Sequence, residues 1–81
     1  MATNKGPAFR LVYSPGEPNR FSVQMQDAPD HWVTELSFAT ELTAHLTARS
    51  KSMANMCTYR VVDKATSEVM STVRHGKTLI V

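Results

Sequence analysis

One segment, Ser37 to Asn55, has a sustained helical repeat, and it limits what the rest of the chain can form. Its apolar residues recur at intervals of four, four and seven, which places them on one side of an α-helix. They are Phe38, Leu42, Leu46 and Met53. Arg49 falls inside this stripe and interrupts the pattern, unless its stem packs while its guanidinium reaches the rim. A helix with one apolar side must cover another layer, and a β-sheet is the expected one.

Alternating apolar and polar residues predict strands on both sides of this helix. The predicted strands are residues 9–13, 21–26, 31–38, 57–62 and 68–74, with an optional sixth at 78–81. Turn-forming residues separate them, and both 9–13 with 21–26 and 57–62 with 68–74 are expected to form hairpins. We therefore predict an α+β fold of two layers, a mainly antiparallel sheet with one helix packed on one face, in the order β-β-β-α-β-β.

Length and cysteine content limit the domain count and the compartment. With 81 residues, we expect one domain at residues 8–81 after a flexible tail at 1–7. Cys57 is the only cysteine, so no intramolecular disulfide can form and a reducing compartment is expected. No signal-peptide pattern or membrane-length apolar run is present in the sequence. These features predict a cytoplasmic protein that does not enter a membrane.

The residues that carry chemistry in other proteins form no recognisable catalytic pattern. Gly76-Lys77-Thr78 matches the end of a phosphate-binding loop, but Ser71 stands where that loop needs its first glycine. Cys57 and the three histidines lack the short spacings of zinc ligands. We therefore expect no catalytic residues, no metal and no cofactor, and predict that the protein is not an enzyme.

Charge is unevenly distributed, and this raises the question of nucleic-acid binding. From Ala48 onward the chain has six basic and two acidic residues, whereas the first 47 residues have three basic and five acidic ones. The basic residues that would contact phosphates are Arg49, Lys51, Arg60, Arg74 and Lys77. All six aromatic residues, including Trp32, fall at positions assigned to the core side. An outward face without rings argues against base stacking, so nucleic-acid binding is the alternative rather than the main prediction.

The main prediction is a protein-binding surface on the outward face of the sheet. There, arginine alternates with apolar residues, a mixture typical of interfaces. The predicted partner-binding residues are Arg10, Arg60, Val62, Met70 and Arg74. We predict a small non-enzymatic protein that binds and inhibits or modulates a larger protein, as phage-encoded host-takeover and anti-defence proteins do in the host cytoplasm. A self-associating structural protein, a homodimer through an edge strand, is a further alternative.

Overall fold

The computed structural model describes residues 19–79, which form a five-stranded antiparallel sheet with one α-helix across one face. The elements are β1 (Phe21–Ala28), β2 (His31–Phe38), α1 (Glu41–Asn55), β3 (Thr58–Asp63), β4 (Glu68–Arg74) and β5 (Lys77–Thr78). The strands are ordered β2-β1-β3-β4-β5. The predicted fold class, a two-layer α+β domain, is confirmed. Within these residues no helix is long and apolar enough to cross a membrane.

Hairpin pairing before the helix differs from the prediction. The first predicted strand, residues 9–13, lies outside the described residues, as does the tail at 1–7. β1 forms its hairpin with β2, from Phe21 opposite Phe38 to Ala28 opposite His31. On its other side, residues 21–25 of β1 pair with β3. Because both edges of β1 are occupied along residues 21–25, the predicted pairing of 9–13 with this strand has no free edge.

Local residues explain both ends of α1. Thr40 is the N-cap, and its hydroxyl oxygen accepts a hydrogen bond from the Thr43 amide at 3.3 Å. At the other end Met56, rather than Asn55, takes the left-handed conformation that stops a helix, with φ of 55°. Asn55 is the last helical residue, and its side chain donates to the Tyr59 hydroxyl at 2.8 Å. The helix is therefore fixed to the strand that follows it.

The helix packs with a different side from the predicted one. Ala44, Ala48 and Ser52, spaced by four residues, are fully buried against the sheet. Leu42, Leu46 and Met53 are exposed by 67%, 49% and 58%. Small residues let the helix backbone approach the sheet closely, and the buried core is correspondingly small. Its members are Val23, Ala44, Ala48, Tyr59, Val61 and Val73.

The β4–β5 turn docks on the helix and fixes its position. His75 and Gly76 both have positive φ, 52° and 82°, as in the two-residue turn of a tight hairpin. The Gly76 amide donates to the buried Ser52 hydroxyl at 2.8 Å, and the Gly76 carbonyl accepts from Arg49 Nε at 3.1 Å. The Arg49 guanidinium thus bonds to this turn, and His75 and Gly76 reverse the chain between β4 and β5. Ile80 and Val81 of the optional strand lie outside the described residues.

Candidate functional site

The face of the sheet opposite α1, called the open face below, has basic and neutral polar side chains and a few apolar ones. Strand register assigns to it Ser22, Gln24 and Gln26 from β1, Trp32, Thr34 and Ser37 from β2, Thr58, Arg60 and Val62 from β3, Val69, Thr72 and Arg74 from β4, and Lys77 from β5. None of these described residues is acidic, whereas three are basic. The described acidic residues of the strands include Glu35 and Asp63, which are on the helix side or at the strand end.

A β-bulge places Trp32 on the open face, which contradicts the prediction that it faces the core. Val23 of β1 pairs with Leu36, but Gln24 pairs with Thr34, so Glu35 has no partner in the ladder. One extra residue reverses the alternation along the strand. Leu36 and Phe38 therefore lie on the helix side with Val23 and Phe21, while Trp32 and Thr34 lie on the open face.

Arg60 and Trp32 form a stacked pair at the centre of the open face. The Arg60 guanidinium carbon is 4.2 Å from the centroid of the Trp32 ring, within the range of a cation–π contact. Arg60 Nε donates to Gln24 Oε1 at 2.7 Å, and Gln24 Nε2 donates to Thr34 Oγ1 at 3.2 Å. These contacts hold the guanidinium and the ring in one arrangement before any partner binds.

The charge of Arg60 has no carboxylate partner within the described part of the chain. Partial burial lowers the pKa of the Arg60 guanidinium from its ordinary value, but arginine stays protonated in proteins. A half-buried cation without a counterion is stabilised when an anion binds beside it. Arg60 is therefore suited to hold a negatively charged group.

Two more cations lie beside Arg60 on the open face. Arg74 is paired with Thr58 on one side and with Lys77 on the other, and its Nε donates to Thr58 Oγ1 at 3.0 Å. Arg60 is opposite Thr72, which puts Arg60 and Arg74 in diagonal positions on neighbouring strands. Such diagonal side chains have Cβ atoms roughly 7–8 Å apart or less. The three cations thus form one group.

The predicted partner-binding residues are only partly brought together. Arg60, Val62 and Arg74 share the open face as expected, and Arg10 lies outside the described residues. Met70 is not on this face, which corrects the prediction. Ser71 pairs with Val61 and Val69 with Val62, so Met70 is the extra residue of a second bulge and packs against the core.

The predicted nucleic-acid residues divide between two sides of the molecule. Arg60, Arg74 and Lys77 are on the open face, but Arg49 and Lys51 belong to the helix on the other face. Arg49 bonds to the β4–β5 turn, and Lys51 forms an ion pair with Glu35 at 3.1 Å. The five residues therefore do not form a single phosphate-binding surface.

On the helix side, the bulge residue Glu35 anchors a cluster that ties α1 to β2 and β3. The Tyr59 hydroxyl donates to Glu35 Oε1 at 3.0 Å, and Lys51 Nζ is 3.1 Å from the same oxygen. Burial raises the pKa of the Tyr59 hydroxyl, and the hydrogen bond to Glu35 raises the pKa of the Lys51 ammonium. Both shifts mean that the protonated form of the donor is favoured. The cluster therefore holds the bulge, and with it the open-face position of Trp32.

The thiol and imidazole groups are dispersed. Cys57 is half-buried, His45 Nδ1 lies 3.1 Å from Ser71 Oγ, and His31 contacts Asp27 beside the β1–β2 turn. In the described residues no three histidine, cysteine or acidic side chains are grouped so that they could hold a metal ion.

Comparison of the chain with protein-family models, curated proteins and solved structures finds no match. The candidate site is therefore defined by its own geometry.

Trp32 and Gln24 are the site residues that sequence reasoning missed. One signal was present, because Val33 puts an apolar residue in the opposite phase to Trp32, Leu36 and Phe38. A strand with apolar residues in both phases is typical of a change of face at a bulge. The partners of Gln24 depend on strand register, which requires knowing that β3 lies beside β1.

Proposed function

We propose that the protein is a non-enzymatic binding protein that captures an anionic macromolecule on its open face. The observation that carries this proposal is the group of three cations, Arg60, Arg74 and Lys77, on a face whose described strand residues include no acidic one. The protein partner expected from the sequence would then be one that presents an acidic surface. Neutral side chains around the cations supply hydrogen bonds without opposing charge.

The electrostatic field of this face differs from that of the helix side. On the helix side, Lys51 is neutralised by Glu35, and Glu41 adds a negative charge at the start of α1. On the open face, all the charged residues of the described strands are cations. A surface of one sign attracts ligands of the opposite sign and speeds their association, an effect that falls with ionic strength. Binding to this face should therefore weaken as salt rises.

The first test compares two variants that each remove one positive charge. Arg74→Gln should lower the salt concentration at which the protein elutes from immobilised heparin, because Arg74 lies on the open face. Lys64→Gln is the matched control, because Lys64 is exposed in the β3–β4 turn, outside the strands that carry Arg60, Arg74 and Lys77. Its elution should shift less. Equal shifts for the two variants would mean that net charge alone governs retention, and would contradict the proposed site.

Self-association is a second candidate, favoured by the exposed side of α1. Leu42, Leu46, Arg49 and Met53 are spaced by four, three and four residues, the spacing of a coiled-coil seam. In an antiparallel pair with its two-fold axis between residues 47 and 48, Leu42 of one copy faces Met53 of the other. The Arg49 guanidinium donates to the Gly76 carbonyl, so only the aliphatic part of its side chain would lie in the seam. A second copy of the chain would cover these exposed side chains.

Solution mass tests the second candidate. We expect Leu42→Glu to shift the protein from dimer to monomer in sedimentation equilibrium, because the introduced carboxylate faces Met53 of the other copy and is desolvated without a partner. Ala54→Glu adds the same charge on an exposed helical position outside the seam, and should leave the dimer intact. A wild-type protein that is monomeric at every concentration would exclude this candidate and leave the open-face proposal unaffected.

A further inference from the structure

We infer that the ligand of the open face is single-stranded nucleic acid, with bases stacked at the Trp32–Arg60 pair and phosphates at Arg74 and Lys77. This inference rests on the proposed capture of an anionic macromolecule by the same face. It adds the chemical class of the ligand and assigns a separate role to each side chain. The sequence-based objection was the lack of an outward ring, and the bulge at Glu35 removes that objection.

The stacked pair offers a planar surface of the kind that bases use. Aromatic rings and arginine guanidinium planes both stack with bases, and such stacking tolerates any base sequence. Trp32 and Arg60 provide one of each, 4.2 Å apart. Gln24 fixes the guanidinium from the neighbouring strand, so little conformational freedom is lost on binding. A stack that is already ordered can be extended by a base.

The groups around the stacked pair are suited to base edges and the sugar–phosphate backbone. Gln24, Gln26, Thr34 and Thr72 carry amides or hydroxyls, which both donate and accept hydrogen bonds. Arg74 and Lys77 lie on the two outermost strands on the opposite side from Trp32. A strand crossing the sheet can thus place a base at the stacked pair and its phosphates at these cations.

Two competing ligands fit the face less well. Duplex DNA keeps its bases stacked on one another, so it would use the cations and leave the Trp32–Arg60 pair without a role. An acidic protein would need an apolar centre to its contact, since interface cores are depleted of charge. Here the apolar residues Val62 and Val69 form one pair away from Trp32, and a cation occupies the centre. Unstacked bases match both the ring and the charge.

The test uses the single tryptophan of the full chain as its reporter. A 12-nucleotide single strand of DNA or RNA should quench Trp32 fluorescence on binding. With two cations on phosphates, Arg74 and Lys77, affinity should fall roughly 7-fold between 50 and 200 mM salt. An abasic strand of the same length keeps the phosphates and lacks the bases. It should bind more weakly and quench less, and equal binding of the two strands would overturn the stacking role.

Variants separate stacking from charge. Binding of the variants is measured from the anisotropy of a fluorescently labelled strand, because replacing Trp32 removes the tryptophan signal. Trp32→Ala should weaken binding of the normal strand roughly 5- to 150-fold, the range for losing one base–aromatic stack, and should barely change binding of the abasic strand. Trp32→Phe keeps a ring and should retain most of the affinity. Arg60→Lys keeps the charge and loses the planar group. It should therefore also reduce the ratio of the affinity for the normal strand to the affinity for the abasic strand. Circular dichroism of each variant checks that it is folded.

Polyglutamate and heparin serve as probes for the other ligand classes. One outcome is that either polyanion binds in a salt-sensitive way that Arg74→Gln reduces, while single strands do not bind. This outcome would overturn the nucleic-acid inference and support the proposed function. Tighter binding of duplex than of single strands would also overturn this inference. Failure of every polyanion to bind at low salt would overturn both. Single-strand binding with tryptophan quenching that the abasic strand does not reproduce would support both.

Discussion

Replacing Ala48 with leucine is expected to lower the free energy of unfolding by about 3 kcal/mol, near the upper end for overfilling a packed core. Ala48 is fully buried in the middle of the helix side that faces the sheet. A longer side chain must push α1 away from the sheet, whose residues Tyr59 and Val61 belong to the same buried cluster as Ala48. That displacement also strains the hydrogen bond between Ser52 and Gly76, which closes the far end of the contact. Chemical denaturation of the variant and the wild type measures the difference.

Leu46→Ala is the control for this experiment. If the helix packed with the side predicted from the sequence, Leu46→Ala would be more destabilising than Ala48→Leu; with the side seen in the structure, the order is the opposite. Truncating a buried leucine to alanine costs about 2–5 kcal/mol, whereas changes at exposed positions usually stay within about 0.5 kcal/mol. Leu46 is 49% exposed, so we expect a cost below about 1 kcal/mol. If Leu46→Ala were the more damaging variant, then the side of the helix that contains Leu42 and Leu46 would be the one buried in the folded protein.

The helix illustrates what the sequence pattern can and cannot predict. Its existence followed from the spacing of its residues, and its N-cap, Thr40, is one of the residue types favoured at that position. Its buried side did not, because two stripes share the same period and the pattern favours the one with larger side chains. The tendency of large apolar residues to be buried does not require every one of them to be inside. Close approach of helix and sheet selected Ala44, Ala48 and Ser52 instead.

The sheet was predicted where alternation was unbroken and misassigned where a bulge intervened. In β3, Tyr59 and Val61 are buried and Arg60 lies on the opposite face, as the alternation predicted. In β2 and β4, one inserted residue shifts the phase, so Trp32 and Met70 are on the reverse of their predicted sides. A bulge depends on the partner strand, which local alternation does not reveal.

The candidate site depends on these same differences. Arg60 and Arg74 were assigned to the outward face from β-strand alternation alone, and register confirms that placement. The contact between Arg60 and Trp32 spans three strands, because β1 lies between their own strands. Only the order of strands in the sheet brings the two side chains together. The sequence predicted an outward face without aromatic rings, whereas the structure has Trp32 there. This difference is the reason that we propose nucleic acid as the ligand.

Acid should destabilise the protein between pH 4 and pH 2, and Asp63→Asn should remove much of this dependence. Asp63 is buried at the end of β3, where its carboxylate accepts two hydrogen bonds from Arg20, each 2.8 Å, and one from the Ala65 amide at 2.9 Å. The Arg20 guanidinium, with smaller help from the Ala65 amide, lowers the pKa of Asp63 from 3.8 to about 2.

The sign of the effect follows from proton binding. Between these two pKa values the unfolded chain binds a proton at residue 63 and the folded protein does not, so the free energy of unfolding rises with pH. The contribution of Asp63 is fully present above about pH 4 and disappears as the pH falls through about 2. Asp63→Asn should therefore be less stable than the wild type at pH 7, with the two proteins converging towards pH 2.

Thermal unfolding midpoints at pH 7, 4, 3 and 2 measure this convergence. Glu68→Gln is a matched control, because Glu68 pairs with Asp63 across β3 and β4 and is exposed. It removes one carboxylate from the same turn without touching the contact to Arg20, so its curve should keep the wild-type slope. A parallel fall of Asp63→Asn and wild type would show that the Arg20–Asp63 pair does not govern acid unfolding. Convergence confined to Asp63→Asn would show that closure of the β3–β4 turn onto the start of β1 depends on this ion pair.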